Sequence, residues 1–328
     1  MFRTTTALLA AATVAGFGAT ANADTIELHG ASQFDEEHAF TKTMRRFEEL
    51  TQECYDGDLN FVMHLNSELG VERDFFQMMS QGVSVDYAVV APSHMASLSP
   101  QMPLMDMPFL FRDLDHWNAV LDSGTAFELI EQEVLQNANV RVIGYAGGGT
   151  RNLISDHPIH NMEELAGFQM RVMGAPIQAM IFEAITAEPS VIAYNEVYNA
   201  VQTGVVDGLE NEAAGIEQMK FYEVAPYIIL TQHAITVRPL MFSEATFQRL
   251  PEDLQACVLE AGREAGRHGR EVESSQDSEK LEQMEANGWL ETVPFDDRDQ
   301  LLELSLPVQD EFAAELGATE TLERVRGM

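Results

Sequence analysis

Short strand-like runs alternate with helix-length segments along most of the chain. Residues 25–29 and 59–63 place apolar side chains on one face, and residues 87–91 form a continuous apolar run typical of a strand buried on both faces. A second series of strand-like runs begins at Val140 and continues at 169–173. This alternation predicts an α/β fold with largely parallel sheets, and the two series predict two lobes.

The two series follow a common scheme of helix, glycine and strand. Residues 76–86 and 201–207 each combine a helical segment, a glycine suited to the left-handed position after a helix, and a β-branched run with an acid. In the second copy Asn195 is predicted to cap the start of the helix. Each copy ends in a loop at the carboxyl edge of a strand, where open parallel sheets bind ligands. Two such lobes facing each other predict a cleft between them.

Two features indicate where the chain crosses between the lobes. Three glycines at 147–149 follow a predicted strand and offer backbone freedom for a crossing, although a tight turn is the alternative. A long polar helix, predicted from Pro251 to about residue 287, has the length to span both lobes, and its pattern breaks near Glu273, which allows a bend. The predicted boundaries are 24–147 plus about 232–274 for lobe I, and 148–231 plus about 275–328 for lobe II.

The first 23 residues have the pattern of a secretory signal peptide. Arg3 supplies the positive start, residues 7–19 form a short apolar run, and Ala-Asn-Ala at 21–23 is a cleavage site with small residues at both ends. The apolar run is too short to span a bilayer, and no later stretch approaches about 18 uninterrupted apolar residues. We therefore expect cleavage near Asp24 and export to the periplasm.

Charge draws attention to one arginine. The chain has 53 acidic residues against 19 lysines and arginines, a net charge of -34, and this excess excludes nucleic acid and anionic membrane surfaces as partners by repulsion. Arg171 nevertheless lies on a predicted buried strand, where a guanidinium is costly unless an anion meets it. A planar guanidinium can hold both oxygens of a carboxylate. We favour a ligand carboxylate as that anion, and an internal salt bridge is the alternative.

The two cysteines, Cys54 and Cys257, both lie in segments predicted to be helical. An oxidising compartment permits a bridge between them, but a sequence separation of this size does not show that the two side chains meet. We interpret them as two small buried thiols, with a disulfide as the open alternative.

The common catalytic and metal-binding motifs do not occur in the chain. We find no Gly-x-Ser-x-Gly elbow, no His-Glu-x-x-His, no Cys-x-x-Cys, no phosphate loop and no calcium loop, and the nine histidines lack metal-ligand spacing. No catalytic residue, metal or cofactor is therefore predicted. An exported carbohydrate-acting enzyme is the alternative from another class, since paired acids such as those at 48–49 and 296–297 can serve acid–base chemistry on a sugar.

Several motifs occur along the chain in one order, among them Gln-Met-Arg-Val-Met at 169–173 and Val-Asp-Gly-Leu-Glu-Asn at 206–211. The other blocks are residues 106–111, 149–152, 164–168, 195–198, 202–205 and 221–225. Together they resemble the solute-binding component of tripartite ATP-independent periplasmic (TRAP) transporters of the DctP type, over essentially the whole mature chain. The resemblance implies a two-lobe periplasmic binding protein fold, with a ligand cleft between the lobes and a long helix spanning both. It also implies ligand-induced closure around an organic acid and delivery of that acid to membrane permease subunits, and we expect a monomer.

The resemblance assigns roles to matching positions. Arg171 takes the place of the arginine that forms a salt bridge to the ligand carboxylate, Asn211 donates to the same carboxylate, and Arg151 occupies the place of a second, assisting arginine. The first lobe is expected to add contacts from the loop at 31–38 and from around Ser93. The full set of predicted ligand-binding residues is Arg171, Asn211, Arg151, Asn152, Gln33, His38, Ser93 and Glu212.

The polar side chains expected near the cleft favour a hydroxylated acid. They form hydrogen bonds rather than aromatic contacts, and Asn152, Gln33, His38 and Glu212 are the side chains expected to recognise hydroxyl groups of a hexuronate or an aldonate. The run at 212–216 lacks the Thr or Asn pattern that we associate with C4-dicarboxylate binders. A C4-dicarboxylate or a 2-oxo acid is the alternative ligand, and a sensor-linked binding module is the alternative role.

Overall fold

The computed structural model of the protein describes residues 25–328, so the predicted signal peptide at 1–23 lies outside the described residues. The strands are β1 (Ile26–Ala31), β2 (Leu59–His64), β3 (Tyr87–Val89), β4 (Val140–Ser155), β5 (Gln169–Val172), β6 (Glu188–Val191), β7 (Gly208–Asn211), β8 (Tyr227–Ser243) and β9 (Glu291–Val293). The helices are α1 (Ala39–Cys54), α2 (Glu72–Gln81), α3 (Leu114–Asp122), α4 (Glu128–Ala138), α5 (Met162–Leu165), α6 (Pro176–Ala184), α7 (Val197–Gln202), α8 (Ala213–Gln218), α9 (Glu244–Phe247), α10 (Glu252–Ala286), α11 (Arg298–Glu315) and α12 (Thr319–Arg326). Within residues 25–328, no helix is both long and apolar enough to cross a bilayer.

All nine described strands join one mixed sheet. Its order is β2-β1-β3-β8-β4-β7-β5-β6, with β9 beside β8. The strands at both ends of this order pair in parallel, as β1 does with β2 and β5 does with β6. In the centre β3 pairs antiparallel with β8, and β4 pairs antiparallel with both β8 and β7. The predicted α/β fold is confirmed, whereas the expectation of largely parallel sheets is wrong for the centre.

Two long antiparallel strands run through both halves of the molecule. β4 has 16 residues and β8 has 17, and the start of β4 pairs with the end of β8 in the half that contains β1 to β3. The end of β4 lies beside β7 in the other half. The register shifts between Gly147 and Thr150, where Gly147 has a φ of 111° and a side chain would meet the Thr236 carbonyl. The three glycines are therefore an irregularity inside a crossing strand and not a tight turn.

The long helix α10 is unbroken over its 35 residues, which at about 1.5 Å per residue is about 52 Å. Pro251 is its N-cap residue rather than its first helical residue. The helix lies very close to β4, because a Cβ atom at Gly266 would come within 2.6 Å of the backbone nitrogen of Tyr145. Glu273, where the apolar pattern breaks, is buried on this helix. The break in the pattern therefore marks a buried carboxylate within a continuous helix, and the bend stays a prediction.

The hydrophobic core is divided between the two halves of the sheet. One cluster includes Leu28, Phe47 and Val258, which belong to β1, α1 and α10. Another includes Met170 and Leu301 of β5 and α11. The C-terminal helix α12 instead packs against the first half, where His116 Nε2 lies 2.8 Å from the Val325 carbonyl oxygen. The exact lobe boundaries remain a prediction.

Cys54 and Cys257 form a disulfide, with their Cα atoms 5.7 Å apart. The interpretation as two buried thiols is therefore wrong. The reason is that α1 packs along α10, which brings the end of one helix beside the first turns of the other. This contact depends on tertiary packing, which the separation of the two cysteines along the chain does not reveal.

Candidate functional site

A cavity lies between the two halves of the sheet, and we call it the central cavity. It encloses about 300 Å³, including space open to solvent. The first half contributes the loop after β1 together with the starts of α1 and α2. The second half contributes the carboxyl ends of β5 and β7. The lining residues are Gln33, Phe34, Phe40, Glu72, Ala91, His94, Arg151, Arg171, Met173, Tyr194, Asn211, Glu212 and Arg238.

Arg171 is a buried cation whose charge is not neutralised by a neighbouring carboxylate. Its side chain lies on β5 with 2% of the residue exposed. Nε donates to the Ile192 carbonyl oxygen at 3.0 Å, and the guanidinium carbon lies 5.5 Å from the centre of the Tyr194 ring. Among the described residues no carboxylate oxygen lies within 4.0 Å of its nitrogens. Burial lowers the pKa of Arg171 to about 10, which leaves it protonated at neutral pH. The terminal nitrogens therefore remain available to an anion.

Asn211 and Tyr194 join Arg171 at one side of the central cavity. Asn211 ends β7, and its Nδ2 donates to the Tyr194 hydroxyl oxygen at 3.0 Å. A Cβ atom at Gly215 would lie 2.3 Å from that Nδ2, so only glycine allows α8 to approach Asn211 this closely. Tyr194 begins a 3-10 turn, after which α7 starts at Val197 with Glu196 at the N-cap position. The predicted cap at Asn195 is therefore wrong.

Arg151 lines the central cavity but is paired within the protein. Its Nη2 donates to Glu210 Oε1 at 2.7 Å and to the Glu210 carbonyl oxygen at 2.9 Å. Nε donates to the other Glu210 carboxylate oxygen, and Nη1 donates to Glu212. Although burial acts to raise it, the charge of Arg151 lowers the pKa of Glu210 to about 2, helped by a hydrogen bond from His233. Arg151 and Glu212, both expected to contact the ligand, thus bind each other.

A third arginine, Arg238, was not predicted. It lies on β8, where its Nη1 donates to Asp106 Oδ1 at 3.1 Å, and its Nη2 lies 4.0 Å from Glu212 Oε2. The criterion that selected Arg171, an arginine inside an apolar strand of an acidic chain, applies equally to Arg238. If this criterion is applied to every strand, it selects both Arg171 and Arg238.

In the first half, Glu72 organises the wall of the central cavity. Its Oε1 accepts from Gln33 Nε2 at 3.0 Å, and its Oε2 accepts from the Ala91 backbone nitrogen at 2.6 Å. His94 Nδ1 lies 3.2 Å from the same Oε2. Gln33 Oε1 is buried without a partner among the described residues, so it remains free to accept a hydrogen bond. Glu72 itself carried no sequence signal beyond its place at the start of α2.

Three predicted residues do not line the central cavity. His38 caps α1, where its Nδ1 accepts from the Phe40 backbone nitrogen at 3.2 Å, and burial lowers its pKa to about 3. Asn152 Oδ1 accepts from the Gln232 backbone nitrogen at 2.9 Å, at an irregularity between β4 and β8. Ser93 faces a neighbouring cavity, and its hydroxyl is buried without a partner among the described residues. His38 and Asn152 thus support local backbone structure.

Two carboxyl groups of α10 hold the irregular part of β4 behind the central cavity. Glu273 Oε1 accepts from the Gly149 backbone nitrogen at 3.1 Å and from Thr236 Oγ1 at 3.0 Å. Asp277 accepts from the Thr150 backbone nitrogen at 3.0 Å and from the Ala213 backbone nitrogen at 3.2 Å. Burial, with the nearby charge of Glu212, raises the pKa of Glu273 to about 8. Burial also raises the pKa of Asp277 to about 6.

The chain matches known solute-binding proteins over most of its length. The family model of DctP, described as bacterial extracellular solute-binding protein, family 7, matches residues 30–316. A solute-binding protein of Sulfitobacter sp. strain NAS-14.1 is 59% identical over 327 residues, which is 99% of this chain and 98% of that protein.

Solved structures match the fold as well. A TRAP periplasmic solute-binding protein from Sulfitobacter sp. NAS-14.1, with bound α-D-taluronate, has a TM-score of 0.90 at 59% identity and covers 92% of this chain and 97% of its own. Another, from Roseobacter denitrificans OCh 114 with bound L-galactonate, has a TM-score of 0.80 at 27% identity, with 91% and 98% covered. The predicted two-lobe α/β fold is confirmed by these matches.

The protonated carboxyl group of Glu273 predicts a pH-dependent stability. Because its pKa rises from an ordinary 4.5 to about 8 on folding, the folded protein retains a proton that the unfolded chain has released. This contribution to stability is complete below about pH 4.5 and is lost as the pH rises through about 8. The free energy of unfolding of the wild-type protein should therefore fall as the pH rises from about 4.5 to about 8. The Glu273→Gln variant should remove up to about 1.4 kcal/mol per pH unit of this fall.

Urea unfolding of both proteins between about pH 5 and pH 8 measures this difference. Glu271→Gln is the matched control, because Glu271 lies two residues away on α10 and is exposed. If the Glu273→Gln and Glu271→Gln proteins both keep the wild-type pH dependence, Glu273 is ionised in the folded protein and this account of it is wrong.

Proposed function

Because the chain belongs to the DctP family of TRAP periplasmic solute-binding proteins, we propose that it captures a hexuronate or an aldonate in the central cavity. It then delivers this acid from the periplasm to the membrane permease subunits of a TRAP transporter. The observation that carries the proposal is Arg171, a buried guanidinium without a carboxylate partner in the described chain, in a cavity lined by hydrogen-bonding side chains. The α-D-taluronate bound to a relative 59% identical and the L-galactonate bound to one 27% identical support this class of acid.

Arg171 and Asn211 form the proposed carboxylate clamp. The Nη atoms of Arg171 can donate two parallel hydrogen bonds to one carboxylate. Tyr194 lies against the Arg171 guanidinium and accepts from Asn211 Nδ2, so it fixes the two donors relative to each other. The second hydrogen of Nδ2 remains available to the ligand. The negative charge of the ligand carboxylate would offset the cost of burying the positive charge of Arg171.

A single carboxylate fits the charge distribution better than two. Of the three buried arginines that line the central cavity, Arg151 pairs with Glu210 and Glu212, and Arg238 pairs with Asp106. A C4-dicarboxylate would bring a second charge to a cavity in which these two cations are already neutralised. Hydroxyl groups suit the remaining surface, because Gln33 Oε1 and the Glu72 carboxylate can accept from them.

The ligand would also close the two lobes. Arg171 and Asn211 lie in one half of the sheet, whereas Gln33 and Glu72 lie in the other, so an acid contacts both groups only when the halves are together. Differential affinity for the closed form would then drive the rotation. The connections that must bend are β4 near 147–149, β8 near Gln232, whose φ is 43°, and the helix α10.

Replacing Arg171 by alanine should abolish useful binding while the fold is retained. Loss of a buried charge partner costs about 2 to 5 kcal/mol, which is about 30-fold to several thousandfold in affinity. Arg171→Lys should fail nearly as completely, because lysine cannot form the two parallel hydrogen bonds. Calorimetric titration measures the affinity, with Arg46→Ala on the outer face of α1 as control. A change below about threefold for either Arg171 variant would exclude the clamp.

Sugar acids should bind far more tightly than short acids. A site that pairs with hydroxyl groups leaves its own polar atoms unsatisfied when the ligand lacks them. We expect a hexuronate or an aldonate to bind at micromolar concentration or below, about -8 kcal/mol, and succinate about a hundredfold more weakly. A thermal shift screen finds the acid, since ligand at about 100 times its dissociation constant adds about 2.7 kcal/mol. Equal affinity for succinate or a 2-oxo acid would disprove hydroxyl recognition but leave Arg171 as the anchor.

Saturation with the acid found in this screen should make the protein more compact. Small-angle X-ray scattering with and without ligand measures the radius of gyration, which should decrease when the lobes close. The Arg171→Ala protein at the same ligand concentration is the control and should keep the larger radius. An unchanged radius for the saturated wild-type protein would contradict closure about these connections.

A further inference from the structure

A second, larger cavity adjoins the central cavity, and we call it the outer vestibule. It encloses about 890 Å³, including space open to solvent. Its walls are the start of α2, the segment at 93–97 and the segment at 191–194. His94, Arg171 and Tyr194 line both cavities, so the two meet at the proposed carboxylate clamp.

The outer vestibule differs in charge from the rest of the molecule. The chain has 53 acidic residues and a net charge of -34, yet the described lining of the vestibule includes no Asp or Glu side chain. Its permanent cations are Arg73 and Arg171. The titratable groups that face them are Tyr194 and His94, and His94 is paired with Glu72 of the central cavity. An anionic ligand is therefore attracted here and repelled over most of the remaining surface.

A third cavity, which lies beside α8 and α10, has the opposite character. Five acidic residues line it, and one of its two lysines, Lys280, is paired with Glu217. The acidic residues are Asp35, Glu37, Glu217, Glu273 and Asp277. Of these two cavities, only the outer vestibule is electrostatically suited to admit a carboxylate.

Arg73 is free to act on an incoming ligand. It is exposed in the first turn of α2, and among the described residues it has no ion pair or side-chain hydrogen bond. Its acidic neighbours point elsewhere, since Glu72 binds Gln33 and Ala91, and Asp74 Oδ2 accepts from the Val71 backbone nitrogen at 3.0 Å.

The vestibule also contains an unused hydrogen-bonding group. Ser93 is 1% exposed, and its hydroxyl has no partner among the described residues. A buried hydroxyl of this kind costs free energy unless it meets a polar atom. An acid in the vestibule would provide that atom.

We propose that the outer vestibule is the access route of the acid and a transient carboxylate subsite, where Arg73 and Ser93 receive the anion before Arg171 takes it. The inference rests on the proposed sugar-acid function. It makes Arg73 a steering residue that sets the rate of association, while Arg171 sets the lifetime of the bound complex. A charge at the rim of a site acts mainly on association and its salt dependence.

Stopped-flow fluorescence with D-taluronate as probe tests the proposal in wild-type, Arg73→Gln and Arg73→Glu proteins. At about 0.01 M salt, where the screening length is about 30 Å, we expect association to slow by about threefold for Arg73→Gln and further for Arg73→Glu. Dissociation should stay within about twofold of wild type, and at about 1 M salt the association rates should converge. Arg46→Gln is the matched control, because Arg46 lies on the outer face of α1 and should leave the rates unchanged.

Three other outcomes of this experiment would contradict the proposal. If wild-type protein binds D-taluronate and association is unchanged in Arg73→Glu at low salt, the vestibule is not the route and the inference fails alone. If the Arg73 variants lose affinity wholly through faster dissociation, Arg73 contacts the bound acid and the transient subsite is excluded. If wild-type protein binds neither D-taluronate nor any other sugar acid, the proposed function fails and the inference fails with it.

Discussion

The buried guanidinium of Arg171 is the interaction on which the arrangement of the site depends. Arg151 and Arg238 are buried beside it, but Glu210, Glu212 and Asp106 neutralise them. Removing a cation from water costs several kcal/mol unless an opposite charge compensates. The protein provides such compensation for two of the three, whereas no carboxylate oxygen of the described residues lies within 4.0 Å of the Arg171 nitrogens. In the proposed function, the carboxylate of the ligand is the opposite charge that compensates Arg171.

The ion pairs of Arg151 and Arg238 also connect separate elements of the cavity wall. Arg151 donates to two carboxylates of the segment at 210–212, and so it ties β4 to the end of β7. Arg238 connects β8 to Asp106, whose Oδ2 accepts from the Ser93 backbone nitrogen. In the proposed function, the contacts of Arg151 hold the segment that carries Asn211 before a ligand arrives, which reduces the conformational entropy that binding must overcome.

Local patterns in the sequence were sufficient to predict the α/β class, the long helix and two residues that line the central cavity, Arg171 and Asn211. An arginine in an apolar strand is conspicuous in an acidic chain, and family motifs place Asn211. The roles of the paired residues were not predictable in the same way. Arg151 could pair with a ligand or with a carboxylate of the protein. The folded structure decides between them by placing Glu210 beside it, and the local sequence does not show this contact.

Contacts between distant segments account for most of the other differences. Tyr194 accepts a hydrogen bond from Asn211, which is 17 residues away along the chain, and Glu72 accepts one from Gln33, which is 39 residues away. The three glycines at 147–149 were compatible with either a turn or a crossing strand, because glycine permits both. The pairing of β4 with β8 decides between them, and that pairing is a property of the whole sheet.

The disulfide between Cys54 and Cys257 turns residues 54–257 into a covalent ring. This ring contains β2 to β8, and with them every strand that contributes to the proposed carboxylate clamp. A protease that cuts once in any loop of the ring leaves the two fragments joined by the bridge. Such a nick separates the chain only after reduction, so an oxidising compartment keeps a nicked molecule in one piece.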